Sequence, residues 1–220
     1  MRKILCLLAF LLFSPHILTF NETNFNTKTT VIIDAGHGGA DGGAIGISNA
    51  AEKHFNLSIA MKMRDFFLIA GYDVLMTRTT DDDTDGHDGF NKTDDIHERE
   101  NLGKENPDAV FLSVHTNASP SPKDKGFQVF YGKKTPQSKS LAEYIYEEMT
   151  ASGLATRMRE VKETPNTVYL MNHLENICVL IECGFIGNEE DFALLSDEGY
   201  RQKLALIFFS ATEKFFSSNN

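Results

Sequence analysis

Three ionisable side chains in this 220-residue chain stand where an apolar run gives out. Val31, Ile32 and Ile33 lead into D-A-G-H-G-G, which sets His37 among Gly36, Gly38 and Gly39. The run from Ala109 to Val114 ends on His115, and the run from Ile177 to Ile181 ends on Glu182. An apolar run that stops at glycine reads as a buried strand entering a tight loop. Glycine lets the backbone turn sharply and approach another group closely. An imidazole held at such a strand mouth is suited to binding a metal or a substrate. A carboxylate among apolar neighbours has its pKa pushed up toward the range useful for proton transfer. Ligands of open α/β sheets bind beyond the carboxyl ends of the strands, so the three groups meet in one site if their strands are neighbours.

The elements that would position them follow from periodicity. Strands are expected at 31–33, 72–77, 109–114, 127–131 and 177–181, with a brief extended segment at 168–170. Helices are expected at 53–70, ending at Gly71, at 95–105, carrying Arg99, at 137–152 and at 197–216. The stretches 79–95 and 156–168 read as loops, the first acidic and exposed. His87 and its neighbouring aspartates read there as part of a solvated loop and not as a second metal site. Strands alternating with helices imply an α/β fold, a mainly parallel twisted sheet with helices on both faces in a single domain. The apolar stripe of helix 137–152 is core.

Bulk properties narrow the function. A net charge of −10 argues against general nucleic-acid binding, which needs a basic face. Of the three cysteines, Cys6 lies near the N-terminus; Cys178 and Cys183 share one strand at an odd offset, point to opposite faces and read as core-filling thiols. Arg2 and Lys3 followed by the apolar run Ile4–Phe13 have the form of a secretory signal peptide or N-terminal membrane anchor over residues 1–20. A polar linker at 21–29 then leads to a domain at 30–217.

D-A-G-H-G-G (34–39), A-E-K (51–53), S-V-H-T-N-A (113–118) and I-E-C-G-F (181–185), in that order, resemble the zinc-dependent N-acetylmuramoyl-L-alanine amidases. The resemblance covers about residues 30 to 216. It implies one zinc ion held by His37, Glu52 and His115. Glu52 at the start of a helix would otherwise be explained by the helix dipole. Two imidazoles and one carboxylate leave a fourth position for water, as catalytic zinc requires. Glu182 then acts as the general acid–base. Asp34, Ser113 and Asn117 orient ligands or satisfy loop backbone, and Arg99 makes a structural ion pair or faces substrate carboxylates. The implied substrate is the peptidoglycan amide between N-acetylmuramic acid and L-alanine. The single domain after a short apolar segment is most similar to the spore-germination amidases, which implies action on spore cortex toward muramic-δ-lactam and a lipoprotein partner. A vegetative autolysin, a zinc carboxypeptidase acting within the stem peptide and a non-catalytic wall-binding or assembly protein are the competing readings.

Overall fold

The computed structural model describes residues 29–84 and 90–219. The N-terminal signal or anchor, nearly all of the linker and His87 therefore lie outside the described residues. Among these, six strands form one sheet: β1 (Thr30–Ala35), β2 (Asp73–Met76), β3 (Val110–Asn117), β4 (Gln128–Tyr131), β5 (Lys162–Glu163) and β6 (Ile177–Phe185), in the order β2-β1-β3-β6-β4-β5. β1 is parallel to both β2 and β3, and β3 is parallel to β6. β4 pairs antiparallel with β6, and β5 is parallel to β4.

The two-residue side-chain period sorts the sheet into two apolar layers. Val31, Ile33, Leu112 and Val179 pack with α1 (Glu52–Ile69), α3 (Gln137–Ser152) and the terminal helix α6 (Glu198–Asn219), through Met63, Phe67, Ile145 and Phe208. Ile32, Phe111, Cys178 and Leu180 face the other way, against α4 (Tyr169–His173) and the apolar residues of α2 (Lys92–Glu105). Each fully buried Phe or Ile contributes roughly 1.5–3 kcal/mol. Cys178 and Cys183 fall in opposite layers as free, buried thiols, as their offset requires.

The same parity carries the polar residues. Asp34 follows Ile32, Ser113 and His115 follow Phe111, and Glu182 follows Leu180, so all four lie on the α2/α4 face near the carboxyl ends of the strands. The chain leaves β1 through α1 to β2 on one side and later enters β3 on the other. The strand order reverses between β1 and β3, which is where open α/β sheets place their sites.

Four local expectations are corrected. Helix α2 begins at Lys92, not Asp95, because the Asn91 side chain accepts from the Thr93 N–H and caps it. Residues 169–173 are helical, and of the segment expected to be extended only Val168 (φ −92°, ψ 94°) is so. Their helix is tied down by Asn172, whose Nδ2 donates to the carbonyls of Pro165 and Val168. The short strand β5 falls inside the stretch read as loop. An unexpected helix, α5 (Glu189–Ser196), follows Asn188, whose side chain accepts from the N–H groups of Glu190 and Asp191. Asp191 in turn accepts from the N–H groups of Gly126 and Phe185 and so anchors the end of β6.

Candidate active site

His37 leaves β1 in the glycine loop, Glu52 opens α1 and His115 lies near the end of β3. Their ligand atoms all fall within 4.8 Å of one another. Glu52 lies between the rings: its Oε2 is 3.3 Å from His37 Nε2 and its Oε1 is 2.9 Å from His115 Nδ1. The carboxylate is 5% exposed and also accepts from the N–H groups of Ala44 and Thr116 and from Asn56 Nδ2. Burial alone would raise its pKa, but the hydrogen bonds and charges of His115 and His37 hold it well below the usual carboxylate range. Burial opposes a charge on His37 too; hydrogen bonds to Glu52 and Asp41 and their charges outweigh that and push it up to about 9.

This donor set fits a divalent cation. The three groups converge from three separate elements, and one of them is a carboxylate buried between two imidazoles. Asp41, which sequence reasoning missed, accepts from His37 Nδ1 at 2.9 Å and leaves Nε2 to face Glu52. A carboxylate behind a ligating imidazole fixes its tautomer and orientation. The spacing H-x-x-x-D in a glycine loop was the available signal.

Two glycines bring the backbone against the ligands. A Cβ on Gly36 would enter the His115 ring, and one on Gly43, at φ 66°, would lie 2.6 Å from His37 Cδ2 and 2.8 Å from Glu52 Oε2. Gly36→Ala is therefore expected to displace His115 at a cost of about 1–3 kcal/mol. Zinc titration should show that loss as weakened binding; affinity equal to wild type would contradict the placement.

Glu182 pairs in register with His115 across β3 and β6. Its Oε2 is buried and has no hydrogen-bond partner among the described residues. Burial, reinforced by the negative charge of Glu52 and opposed by the two histidines, raises its pKa to about 7. Unpaired buried polar atoms are rare and call for a reason; Glu182 lines a cavity of about 310 Å³ that also takes in His37 and His115. Ile96, Val168, Leu170 and Leu180 give this cavity an apolar wall, and Lys92 stands on it near Asp41.

The remaining candidates divide. Asp34 is buried and accepts from Arg99 Nη1 and Ser113 Oγ at 2.5 Å each and from Thr77 Oγ1 at 2.9 Å. Arg99 spends its N–H groups on Asp34, Asp95 and the carbonyls of Ala35 and His37. A guanidinium has five donors, and these bonds use all five, with Asp34 and Asp95 as its buried ion-pair partners. Asp34 and Ser113 both line the cavity and are bonded to each other, and neither makes a hydrogen bond to His37, Glu52 or His115. Asn117 does not join the cavity lining; its carbonyl accepts from the Ile186 N–H where β3 and β6 shift register. Arg78 and Asn56, both buried supports of the loop, had no signal in the sequence beyond their polarity.

A His–Glu–His cluster with its carboxylate buried, beside a glutamate of raised pKa at the switch point of a mainly parallel sheet, defines a hydrolase with a candidate metal centre. Residues 31–213 match the family described as N-acetylmuramoyl-L-alanine amidase, and the chain belongs to that family of peptidoglycan hydrolases. It is 31% identical to the germination-specific N-acetylmuramoyl-L-alanine amidase of Bacillus subtilis, over 99% of this chain and 97% of that protein. Among solved structures it is similar to the CwlD amidase from Clostridioides difficile in complex with the GerS lipoprotein (TM-score 0.79, 33% identity, 86% of this chain and 99% of that one). It is also similar to the catalytic domain of CwlV from Bacillus (Paenibacillus) polymyxa (TM-score 0.74, 26% identity, 86% and 98%).

Proposed function

We propose that this chain is a zinc-dependent amidase that cuts the bond between N-acetylmuramic acid and L-alanine in spore-cortex peptidoglycan, a step toward muramic-δ-lactam. The observation that carries the reading is the convergence of His37, Glu52 and His115 beside the unpaired oxygen of Glu182. His37, Glu52 and His115 would hold the ion. Zinc bound there supplies Lewis acidity, polarising the scissile carbonyl and making water nucleophilic near neutral pH. Glu182 takes a proton from the attacking water and returns it to the nitrogen of L-alanine as the C–N bond breaks, leaving a lactyl carboxylate and a free amine. Ile96, Val168 and Leu180 line the same cavity as the Glu182 carboxylate and make its surroundings partly apolar.

The end-to-end match to a germination-specific amidase supports the cortex assignment over a vegetative autolysin: the chain is equally identical, 31%, to LytC of Bacillus subtilis but spans only 35% of that protein. The lipoprotein bound to the similar CwlD enzyme supports a lipoprotein partner here. The reading places the enzyme outside the cytoplasmic membrane, carried there by the N-terminal apolar segment. Digestion of purified peptidoglycan tests the bond: intact stem peptides with free L-alanine amino ends are expected, and release of terminal amino acids would instead indicate a carboxypeptidase.

Metal removal gives an independent check. A chelator is expected to abolish hydrolysis and lower Tm, since zinc at 100 times its Kd adds about 2.7 kcal/mol to the folded state. Glu52→Gln removes the anion between the imidazoles, so its Tm should no longer respond to zinc; a Tm that still rises as in wild type would exclude Glu52 as a ligand.

A further inference from the structure

His37 occupies the left-handed region, at φ 62°, which a residue with a side chain rarely adopts. The carbonyls leading into it are taken by two buried guanidiniums. Arg78 Nε donates to Ala35 O at 2.9 Å and its Nη2 to Gly36 O at 3.1 Å, while Arg99 Nη2 donates to His37 O at 2.9 Å. Arg78 reaches further: Nη2 also donates to Lys53 O at 2.9 Å, and Nη1 to Thr80 O at 2.9 Å. One side chain thus joins the peptide before His37, the peptide after Glu52 and the loop after β2.

Arg78 is 5% exposed, and every hydrogen bond it makes among the described residues goes to a main-chain carbonyl. Its charge sits beside that of Arg99, which opposes it. Asp34, Asp81 and Asp95 favour the charge, but among the described residues no carboxylate makes an ion pair with it, and such burial is costly. Core packing does not explain it, because its donors converge on the loop that presents His37 and on the first turn that presents Glu52.

We propose that Arg78 is a positioning residue for the metal centre, holding the His37 loop against the start of α1 in the shape that receives the ion. The inference rests on His37, Glu52 and His115 being the metal ligands. Lysine keeps the charge but cannot span several carbonyls with a planar fork, and glutamine lacks both charge and reach. Arg78→Lys and Arg78→Gln, made in the full chain, are compared with wild type by zinc competition against a chromogenic chelator and by Tm with and without zinc. Both variants are expected to bind zinc 10–100-fold more weakly, to show a smaller zinc-dependent rise in Tm and to recover hydrolysis at saturating zinc. Unchanged zinc affinity with equal losses of Tm in the presence and absence of zinc would assign Arg78 to the core and overturn the proposal. So would variants with no cooperative transition at saturating zinc. Absence of zinc binding by the wild type would instead remove the ligand assignment itself.

Discussion

Glu182→Gln is expected to lower amide hydrolysis by about 10²–10⁴-fold while leaving zinc bound, the range that a positioned proton-transfer group contributes. Glutamine keeps the shape of the side chain, and the Oε2 position has no hydrogen bond to lose among the described residues. It cannot take a proton from water. Because Glu182 lies outside the His37–Glu52–His115 cluster, metal content should remain one zinc per chain by elemental analysis. The pH profile separates this role from a structural one. Burial and the Glu52 charge raise the Glu182 pKa to about 7, and a cation among the ligands draws it down. A base works only when deprotonated, so wild-type kcat/KM should fall on the acid side, at or below about pH 7, and that limb should vanish in Glu182→Gln. Loss of zinc along with activity, or a rate close to wild type, would remove Glu182 from the reaction.

The site was legible in proportion to how local its signals are. His37, His115 and Glu182 each terminate an apolar run, and a run buried on both faces can be read without knowing its neighbours. Whether their strands were neighbours was open in the sequence; the sheet order and register made His115 and Glu182 partners on one face. Glu52 carried no such mark: a first-turn carboxylate is ordinary, and family likeness alone singled it out. Arg78, in T-R-T-T after β2, reads as a surface residue because its partners are carbonyls distant in sequence. The helices α4 and α5 and the early start of α2 escaped notice for a related reason. They are short or polar, and caps from Asn91 and Asn188 and packing against the sheet hold them more than apolar rhythm does.

Arg99→Met should cost about 3–5 kcal/mol, the loss typical of stripping one partner from a buried ion pair, out of a total that for domains of this kind is about 5–15 kcal/mol. The large effect arises because the arginine leaves behind Asp34, 1% exposed, and Asp95, 4% exposed. In the wild type, burial pushes the Asp34 pKa up, but Arg99, His115 and the Ser113 hydroxyl together hold it below its ordinary 3.8. Its stabilising contribution is therefore present above 3.8, the value it takes unfolded, and is lost as pH falls through the folded value. Without Arg99 the desolvation is opposed only by Ser113, Thr77 and the more distant charges of Arg78 and His115, and the folded pKa of Asp34 moves above 3.8. The sign then reverses. The contribution of Asp34 is complete below 3.8 and declines as pH rises through the new folded value. The deficit of Arg99→Met relative to wild type should accordingly be smallest in acid and largest near neutral pH. Urea unfolding of both proteins across pH 4–7 measures it, and a deficit independent of pH would show that Arg99 acts through packing and its carbonyl contacts and not by balancing the charge on Asp34.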